Sequence, residues 1–295
     1  MAKRTKAHKI SVVVCSLNEG KNVRRTVESY LETLPQGSEI VVIDDGSEDG
    51  STNFLKKPNG AVRMIRTKHI GVARGRNLGA TKSSGDVIVF SDAHVVAQPG
   101  WWKPMLDVLA TPRVGGVAPA IADMTDTECK GWGLELEGPN PSESWLKKPG
   151  DAPFPAPLLP WCSTAMRRDT FEATNGFDNG MLRWGSIDNE MSIRLWLLGY
   201  ECWVVPEVEF RHVFREKRPY HMEWSWALHN KLRLSFVHFD TPRIARVVEA
   251  LRQHEHFPAA AALLADGDVS GRRTAIAARR VHDADWYFER FGPNW

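Results

Sequence analysis

The chain has 295 residues, of which 42% are hydrophobic and 25% are charged, and its formal net charge is +2. These values are typical of a globular protein and exclude a largely disordered chain. So small a net charge gives no reason to expect nucleic acid as a partner. No apolar run reaches the ~18 residues that a membrane helix needs, and the basic start of the chain, followed by a short β-branched run, is unlike a signal peptide.

Strands and helices alternate along the first part of the chain. The predicted strands, which are short apolar runs, cover residues 10–16, 39–45, 61–67 and 86–92. The predicted helices between them, which have apolar residues at helical spacing, cover 20–34 and 71–84. Because these strands are apolar on both faces, we expect a doubly wound α/β fold with a mostly parallel sheet covered by helices. Ligands bind such sheets at the carboxyl ends of the strands.

Polar side chains follow three of the predicted strands. They are Ser16, Asn18 and Glu19 after the first strand, Asp44 and Asp45 after the second, and Asp92 and His94 after the fourth. In extended chain the last two side chains point to one side, where a carboxylate and an imidazole suit a divalent metal ion. Solvated polar residues at a strand end are the alternative. The two adjacent aspartates predict either a nucleotide contact or an Asx-turn.

The later part of the chain has a different pattern. Residues 123–180 are rich in loops and prolines, which indicates a functional lid or a surface excursion. A helix is predicted at 187–199, and two short strands follow at 200–206 and 208–214. Beyond Pro219 the pattern is helical, with helices predicted at 221–239, 243–253, 258–265 and 272–291. We therefore expect a catalytic domain over 1–218 and a C-terminal helical extension over 219–295.

Two further groups of residues carry side chains that suit ligand binding or catalysis. Trp184 precedes a helix whose first turn carries Asp188 and Glu190. Acids are favoured there by the helix dipole, but an aromatic face beside carboxylates also suits a sugar site. His212 lies between Arg211 and Arg215. It is either a histidine that hydrogen-bonds to other residues of the fold or a third metal ligand. The four cysteines show no C-x-x-C spacing, which indicates reduced thiols and a cytoplasmic protein.

The motifs together resemble a known family. In order they read SLNEG, VVIDDGS, GVARGRNLGA, GDVIVFSDAHV, GWW, GFDNGMLRWGSIDNEMSIRLW and RHVFR. This series resembles nucleotide-sugar-dependent glycosyltransferases of the GT-A fold, of the bacterial family 2 type and more closely the polypeptide N-acetylgalactosaminyltransferases. The similarity spans roughly residues 10–218, and the C-terminal helices are not covered.

The resemblance implies a set of site residues and cofactors. Asp92, His94 and His212 match the family's ligands for Mn²⁺ (or Mg²⁺), which bridges the diphosphate of a UDP-sugar. The remaining assignments are Asp45 at the uracil end, Arg74 at the nucleotide, Arg215 near the phosphates, and Trp184 and Glu190 at the sugar pocket. The other strand-end residues, Ser16, Asn18, Glu19 and Asp44, are assigned to the same nucleotide-sugar site.

Two departures from the family pattern affect the expected chemistry. Where the N-acetylgalactosaminyltransferases have W-G-G-E-N, residues 184–188 read W-G-S-I-D, so Ile187 replaces the first glutamate. Asp188 falls where inverting GT-A enzymes carry an aspartate, so we expect inversion with Asp188 as the base; in the retaining alternative it binds a sugar hydroxyl. Residues 162–164, C-S-T, replace a Gly-rich loop over the donor, which leaves the sugar open.

We therefore expect a soluble, metal-dependent glycosyltransferase. It would transfer a hexose or N-acetylhexosamine from a UDP-sugar to a peptide or protein Ser, Thr or Cys side chain. Transfer to a glycan, a lipid-linked sugar or a small metabolite is one alternative, and a non-catalytic module that binds a nucleotide sugar or peptide is another. A nucleotidyltransferase would need a Gly- and Arg-rich phosphate loop after the first strand, and CSLNEGKN is not one.

Overall fold

The computed structural model of the chain describes residues 9–57, 60–215, 218–292 and 295. The basic N-terminal segment, used above to argue against a signal peptide, lies outside the described residues. Within the described ranges no helix combines the length and apolar character needed to cross a membrane.

The strands belong mainly to one sheet. They are β1 (Ile10–Ser16), β2 (Glu39–Asp44), β3 (Val62–Arg66), β4 (Val87–Asp92), β5 (Val95–Ala97), β6 (Val114–Asp123), β7 (Lys130–Gly131), β8 (Leu134–Leu136), β9 (Glu143–Trp145), β10 (Phe154–Pro155), β11 (Ser163–Arg167) and β12 (Glu201–His212). In the described part of the chain, ten of them form a sheet in the order β10-β12-β6-β11-β4-β1-β2-β3, with β5 beside β12 and β7 beside β6. The short strands β8 and β9 pair separately.

The helices fall into two groups. The first group is α1 (Asn22–Thr33), α2 (Val72–Lys82), α3 (Trp102–Leu109), α4 (Arg168–Ala173) and α5 (Ile187–Leu197). The second group is α6 (Trp224–His238), α7 (Thr241–Leu251), α8 (Phe257–Ala265), α9 (Val269–Ala277) and α10 (Ala284–Phe291). The first group alternates with the strands, as predicted from the periodicity.

The register of the central strands explains where a site can form. Strand β1 runs parallel to both β2 and β4, so that Ser16 is level with Asp44 and Cys15 is level with Asp92. Because parallel strands end at the same edge, the polar residues that follow β1, β2 and β4 meet there. Strand β11 is antiparallel to β4 and β6. The expected α/β fold with a mostly parallel sheet is confirmed.

Two predicted elements differ from the structure. The two short strands expected at 200–206 and 208–214 form one strand, β12, whose register shifts between Val205 and Glu209. The single helix expected at 272–291 is divided into α9 and α10. The division follows from Asp283, whose carboxylate accepts from the backbone N–H of Trp286 and so starts a new helix.

The C-terminal helices share a hydrophobic core with the sheet. Val13 and Phe90 from the sheet belong to the same buried cluster as Leu232, Phe239 and Phe288 from α6, its C-terminal end and α10. Burial of such side chains contributes about 1.5–3 kcal/mol each. The extension is therefore packed into the fold that holds the site.

Candidate functional site

A cavity of about 930 Å³ opens at the carboxyl ends of β1, β2 and β4. Most of the residues predicted for the site line it: Ser16, Asn18, Glu19, Asp45, Asp92, His94, Trp184, Asp188, His212 and Arg215. Three predicted residues, Asp44, Arg74 and Glu190, are not among its lining residues. The sheet edge that the sequence predicted for ligand binding therefore carries a large cavity.

A possible metal site lies in this cavity. The ligand atoms of Asp92, His94 and His212 all lie within 4.8 Å of one another. Both imidazole Nε2 atoms face the Oδ2 atom of Asp92, at 3.6 Å from His212 and 3.9 Å from His94. Two imidazole nitrogens and one carboxylate oxygen are a donor set that suits a first-row divalent metal ion. The residues present therefore fit the metal that the resemblance implies.

Strand pairing brings the two histidines together. Asp92 ends β4, but His94 lies in the turn that leads into β5, so extended backbone is not what aligns the two side chains. Instead, β5 pairs antiparallel with β12, which places Val95 opposite His212. The imidazole rings of His94 and His212 then lie 4.6 Å apart between centroids. The side chains of Asp92, His94 and His212 therefore do come together. The cause is the pairing of β5 with β12, and not the extended backbone expected from the sequence.

Glu19 holds His94 in place through a hydrogen bond. Its carboxylate accepts from Nδ1 of His94 at 3.2 Å and from the guanidinium of Arg215. Burial alone would raise the pKa of Glu19, but the hydrogen bonds from His94 and Arg215 lower it overall. With Nδ1 held by a carboxylate, Nε2 of His94 is left to face Asp92, the arrangement that commonly orients a metal-binding histidine.

The acids after β2 have different surroundings. Asp44 is fully buried and accepts from the backbone of Ser47 and the side chains of Thr52 and Arg66. This position contradicts its expected contact with the nucleotide sugar. Asp45 lines the cavity, and its carboxylate also accepts from the backbone N–H groups of residues 70 and 71 at the start of α2. Asp44 is the last residue of β2, whereas Asp45 lies just beyond the strand.

Arg76, which the sequence did not single out, connects two acids of the site. Its buried guanidinium donates to Oδ1 of Asp188 at 2.7 Å and lies 3.5 Å from Oδ1 of Asp92. It also donates to the carbonyl of Trp161. The arginine assigned to the nucleotide, Arg74, is instead directed to the carbonyl of Asn179 and does not reach the cavity. Of these two arginines on α2, Arg76 therefore lies beside the site and Arg74 does not.

Glu190 is buried away from the cavity. It pairs with Arg194, at 2.7 Å, and with Nε2 of His238, at 2.9 Å. Burial alone would raise the pKa of Glu190, but these two partners lower it overall. Since Glu190 has 1% of its surface exposed, its expected place at the sugar pocket is contradicted. It joins α5 to α6 instead.

A strained segment carries Trp184 to the rim of the cavity. Arg183, Gly185 and Ser186 all have positive φ, at 37°, 98° and 52°. Left-handed backbone costs energy at the two non-glycine residues, so the surroundings must hold it in place. Asn230 on α6 does so: its Oδ1 accepts from the N–H of Leu182, and its Nδ2 donates to the carbonyls of residues 182, 184 and 185.

Replacing Asn230 with alanine is expected to damage the site through this segment. The variant leaves buried backbone groups without partners, which should lower the free energy of unfolding by about 1–3 kcal/mol. Displacement of Trp184 and of the start of α5 should also lower turnover of a donor sugar by about 10- to 100-fold. Chemical denaturation and UDP release measure the two effects. Removal of the exposed amide of Gln253 should change neither, and full activity of Asn230→Ala would refute this positioning role.

Aromatic side chains surround the cavity mouth. Trp145, Trp184 and Phe214 are large hydrophobic residues that are nonetheless exposed, and all three line the cavity. The guanidinium of Arg218 lies 4.0 Å from the ring centroid of Trp184, and Trp145 and Phe214 meet edge to face. From the sequence, only Trp184 was assigned here. The others lie in a loop-rich segment or beside the last metal ligand, and no periodic pattern marks them.

Comparison with known families defines the class of protein. The model of glycosyl transferase family 2 matches residues 11–173, more than half of the chain. The model of the N-terminal domain of galactosyltransferase matches residues 154–222. The chain therefore belongs to glycosyl transferase family 2. The expected class of enzyme, a glycosyltransferase, is confirmed at the level of the family.

The individual relatives of this chain include several polypeptide N-acetylgalactosaminyltransferases. Polypeptide N-acetylgalactosaminyltransferase 11 of Xenopus tropicalis is 32% identical over 78% of this chain and 42% of its own length. Polypeptide N-acetylgalactosaminyltransferase 15 of Homo sapiens is 29% identical over 76% of this chain and 39% of its own length. The chain thus spans about 40% of these relatives. The predicted resemblance to this group is confirmed.

Solved structures support the fold. The crystal structure of GalNAc-T7 with UDP, GalNAc and Mn²⁺ has a TM-score of 0.80 at 22% identity, covering 96% of this chain and 57% of that one. The mannosyltransferase PcManGT from Pyrobaculum calidifontis, in complex with GDP-Man and Mn²⁺, has a TM-score of 0.57 at 18% identity, covering 93% of this chain and 86% of that one. The chain has the GT-A fold.

Proposed function

We propose that this chain is a metal-dependent glycosyltransferase that uses a UDP-sugar. It transfers a hexose or N-acetylhexosamine to a Ser, Thr or Cys side chain of a peptide or protein. The observation that carries the proposal is the convergence of Asp92, His94 and His212 in a large cavity at the strand ends of a family 2 fold.

A metal ion held at this site would supply the positive charge that a nucleoside diphosphate requires. Asp92, His94 and His212 would hold Mn²⁺ or Mg²⁺, and the bound ion supplies charge neutralisation as the glycosidic bond breaks. Arg215 lines the cavity beside these residues, where its guanidinium is paired with Glu19. The choice of UDP is supported by the GalNAc-T7 structure, which contains UDP, GalNAc and Mn²⁺.

The wall of the cavity beside the metal site suits the sugar, since Arg76 lies between Asp92 and Asp188. Trp184 offers an aromatic face, and Asp188 lies on the wall, where Arg76 and the N–H of Trp161 fix both of its carboxylate oxygens. We propose inversion of the anomeric centre, with Asp188, the residue named from the sequence, as the base. In a retaining enzyme Asp188 would bind a sugar hydroxyl.

The acceptor is proposed to be a peptide. Support comes from the exposed aromatic side chains at the cavity mouth, which suit an amphipathic ligand, and from the relatives that are named polypeptide N-acetylgalactosaminyltransferases. A glycan, a lipid-linked sugar and a small metabolite are the alternative acceptors. A non-catalytic binding module is the alternative to an enzyme.

The domain division and the cellular location are also proposals. Residues 1–218 would form the catalytic domain, since all the metal and donor residues fall there, and 219–295 would be an extension that completes the acceptor side. The spacing of the four cysteines supports a reducing compartment, and we propose the cytoplasm. Cell fractionation that finds the protein only in an oxidising compartment would contradict this location.

Release of UDP from a panel of UDP-sugars tests the function. With Mn²⁺, at least one donor should be hydrolysed slowly, and EDTA should abolish the release. Adding peptides that contain Ser, Thr or Cys should accelerate release and yield a glycosylated peptide by mass spectrometry. Acceleration only by glycans, lipid-linked sugars or metabolites would replace the peptide acceptor. Binding of UDP–Mn²⁺ without any turnover would favour the binding module.

A further inference from the structure

Two arginines that line the cavity have no acidic partner. Neither Arg183 nor Arg218 forms an ion pair or a side-chain hydrogen bond with a residue that the structure describes, and Nη1 of Arg183 is buried without a partner there. The remaining arginine of the lining, Arg215, is by contrast paired with Glu19. A guanidinium that faces a cavity and has no internal partner is suited to bind an anionic group of a ligand.

Each of these two guanidinium groups lies on a tryptophan ring. The Cζ atom of Arg183 is 5.3 Å from the ring centroid of Trp226, and that of Arg218 is 4.0 Å from the ring centroid of Trp184. Both tryptophans also line the cavity. Attraction between the cation and the ring holds each guanidinium in place and leaves its N–H groups for a ligand. Two of those N–H groups can donate in parallel to both oxygens of a carboxylate.

The backbone that carries Arg183 is fixed. Its carbonyl accepts from the N–H of Val72, the first residue of α2, at 2.9 Å, and its φ of 37° lies in the left-handed region. Gly71 allows this close approach, because a Cβ atom there would lie 2.8 Å from Cα of Arg183. Backbone and tryptophan ring together present the guanidinium in one place, which reduces the entropy cost of binding a ligand.

The charges around these arginines favour an acidic ligand. The carboxylates that line the cavity each already accept a hydrogen bond or face a cation within the site; they are Glu19, Asp45, Asp92, Glu143 and Asp188. Arg183 and Arg218 therefore leave two positive charges uncompensated at the cavity mouth, where Trp184 and Phe214 are exposed. Free guanidinium groups beside aromatic rings suit a peptide that carries carboxylates.

We propose that Arg183 and Arg218 bind carboxylates of the acceptor peptide, so that the enzyme selects a Ser, Thr or Cys with Asp or Glu close to it in sequence. This inference rests on the proposed glycosyltransferase function and specifies the class of its acceptor. An extended peptide advances about 3.3 Å per residue. Carboxylates within a few residues of the modified side chain can therefore reach the two arginines while that side chain enters the cavity.

The test uses three peptides of equal length with one acceptor residue, flanked by Asp, by Asn or by Lys, and follows glycosylation by mass spectrometry. The Asp peptide should have the highest kcat/KM and the Lys peptide the lowest. A charge-assisted hydrogen bond contributes about 10-fold or more, so Arg183→Gln and Arg218→Gln should each raise the KM for the Asp peptide by about that factor. The effect on the Asn peptide should be smaller. The affinity for UDP with Mn²⁺, measured by calorimetry, should equal that of the natural protein.

A reversal of charge makes the result specific. Arg183→Glu combined with Arg218→Glu should transfer the preference to the Lys peptide, a gain that a misfolded protein cannot show. Arg25→Gln, which removes an exposed charge of α1 outside the cavity, should keep the natural preference.

Three results would overturn this inference and leave the glycosyltransferase function intact. They are equal kcat/KM for the three peptides, weaker UDP binding in Arg183→Gln or Arg218→Gln, which would assign these arginines to the donor, and UDP release without transfer to any of the peptides. Absence of both UDP release and transfer in the natural protein would overturn the proposed function itself.

Discussion

Replacing Asp92 with asparagine is expected to abolish most metal-dependent UDP release, with a loss of about 100-fold or more. The carboxylate Oδ2 is the point that both histidine Nε2 atoms face, so the variant removes the only anionic ligand of the three. It also weakens the electrostatic partner of the buried Arg76, 3.5 Å away. The measurement is UDP release and Mn²⁺ affinity in the same preparation.

Asp107→Asn is the matched control for this change. Asp107 is exposed on α3, so the same loss of one carboxylate should leave release unaltered. If Asp92→Asn kept natural affinity for Mn²⁺ and UDP, the metal site would have been assigned to the wrong residues.

The second large effect is expected on stability. Replacing Glu190 with alanine leaves Arg194 as a buried charge without its carboxylate partner, because both side chains are fully enclosed and form an ion pair at 2.7 Å. Breaking a buried pair in this way costs about 3–5 kcal/mol, so denaturation should occur at much lower denaturant concentration. Arg194 also donates to the carbonyls of Thr174 and Gly176, so its displacement would loosen the segment before α5.

The pH dependence of this variant has a defined sign. The folded pKa of Glu190 is held below its ordinary value of 4.5. Its stabilising contribution is therefore present above pH 4.5 and is lost as the pH falls through the folded value. The stability difference between the natural protein and Glu190→Ala should shrink in acid. Glu32→Ala, an exposed change on α1, should cost little at any pH. Lost activity with unchanged stability would return Glu190 to a role at the sugar.

Glu190 and Arg74, two of the predicted residues that do not line the cavity, are displaced from it for one geometric reason. Asp188 and Glu190 are two residues apart on a helix, and side chains at that spacing lie on opposite faces. Asp188 therefore reaches the cavity while Glu190 enters the core. The same spacing separates Arg74 from Arg76 on α2.

Other features were predictable for equally physical reasons. The apolar runs that form β1, β2 and β4 predict a buried parallel sheet, and the strand ends then locate the cavity. His212 was found only through its motif, since its approach to His94 depends on the pairing of β5 with β12. The role of Asn230 was not predictable. Its position depends on how α6 crosses the segment before α5.

The most direct test of the central claim is a calorimetric titration of UDP into the natural protein with Mn²⁺ and, separately, with EDTA. The metal site and cavity described here predict UDP binding that requires Mn²⁺ and that Asp92→Asn weakens strongly. Failure of UDP to bind under either condition would contradict the assignment of this cavity as a UDP-sugar site.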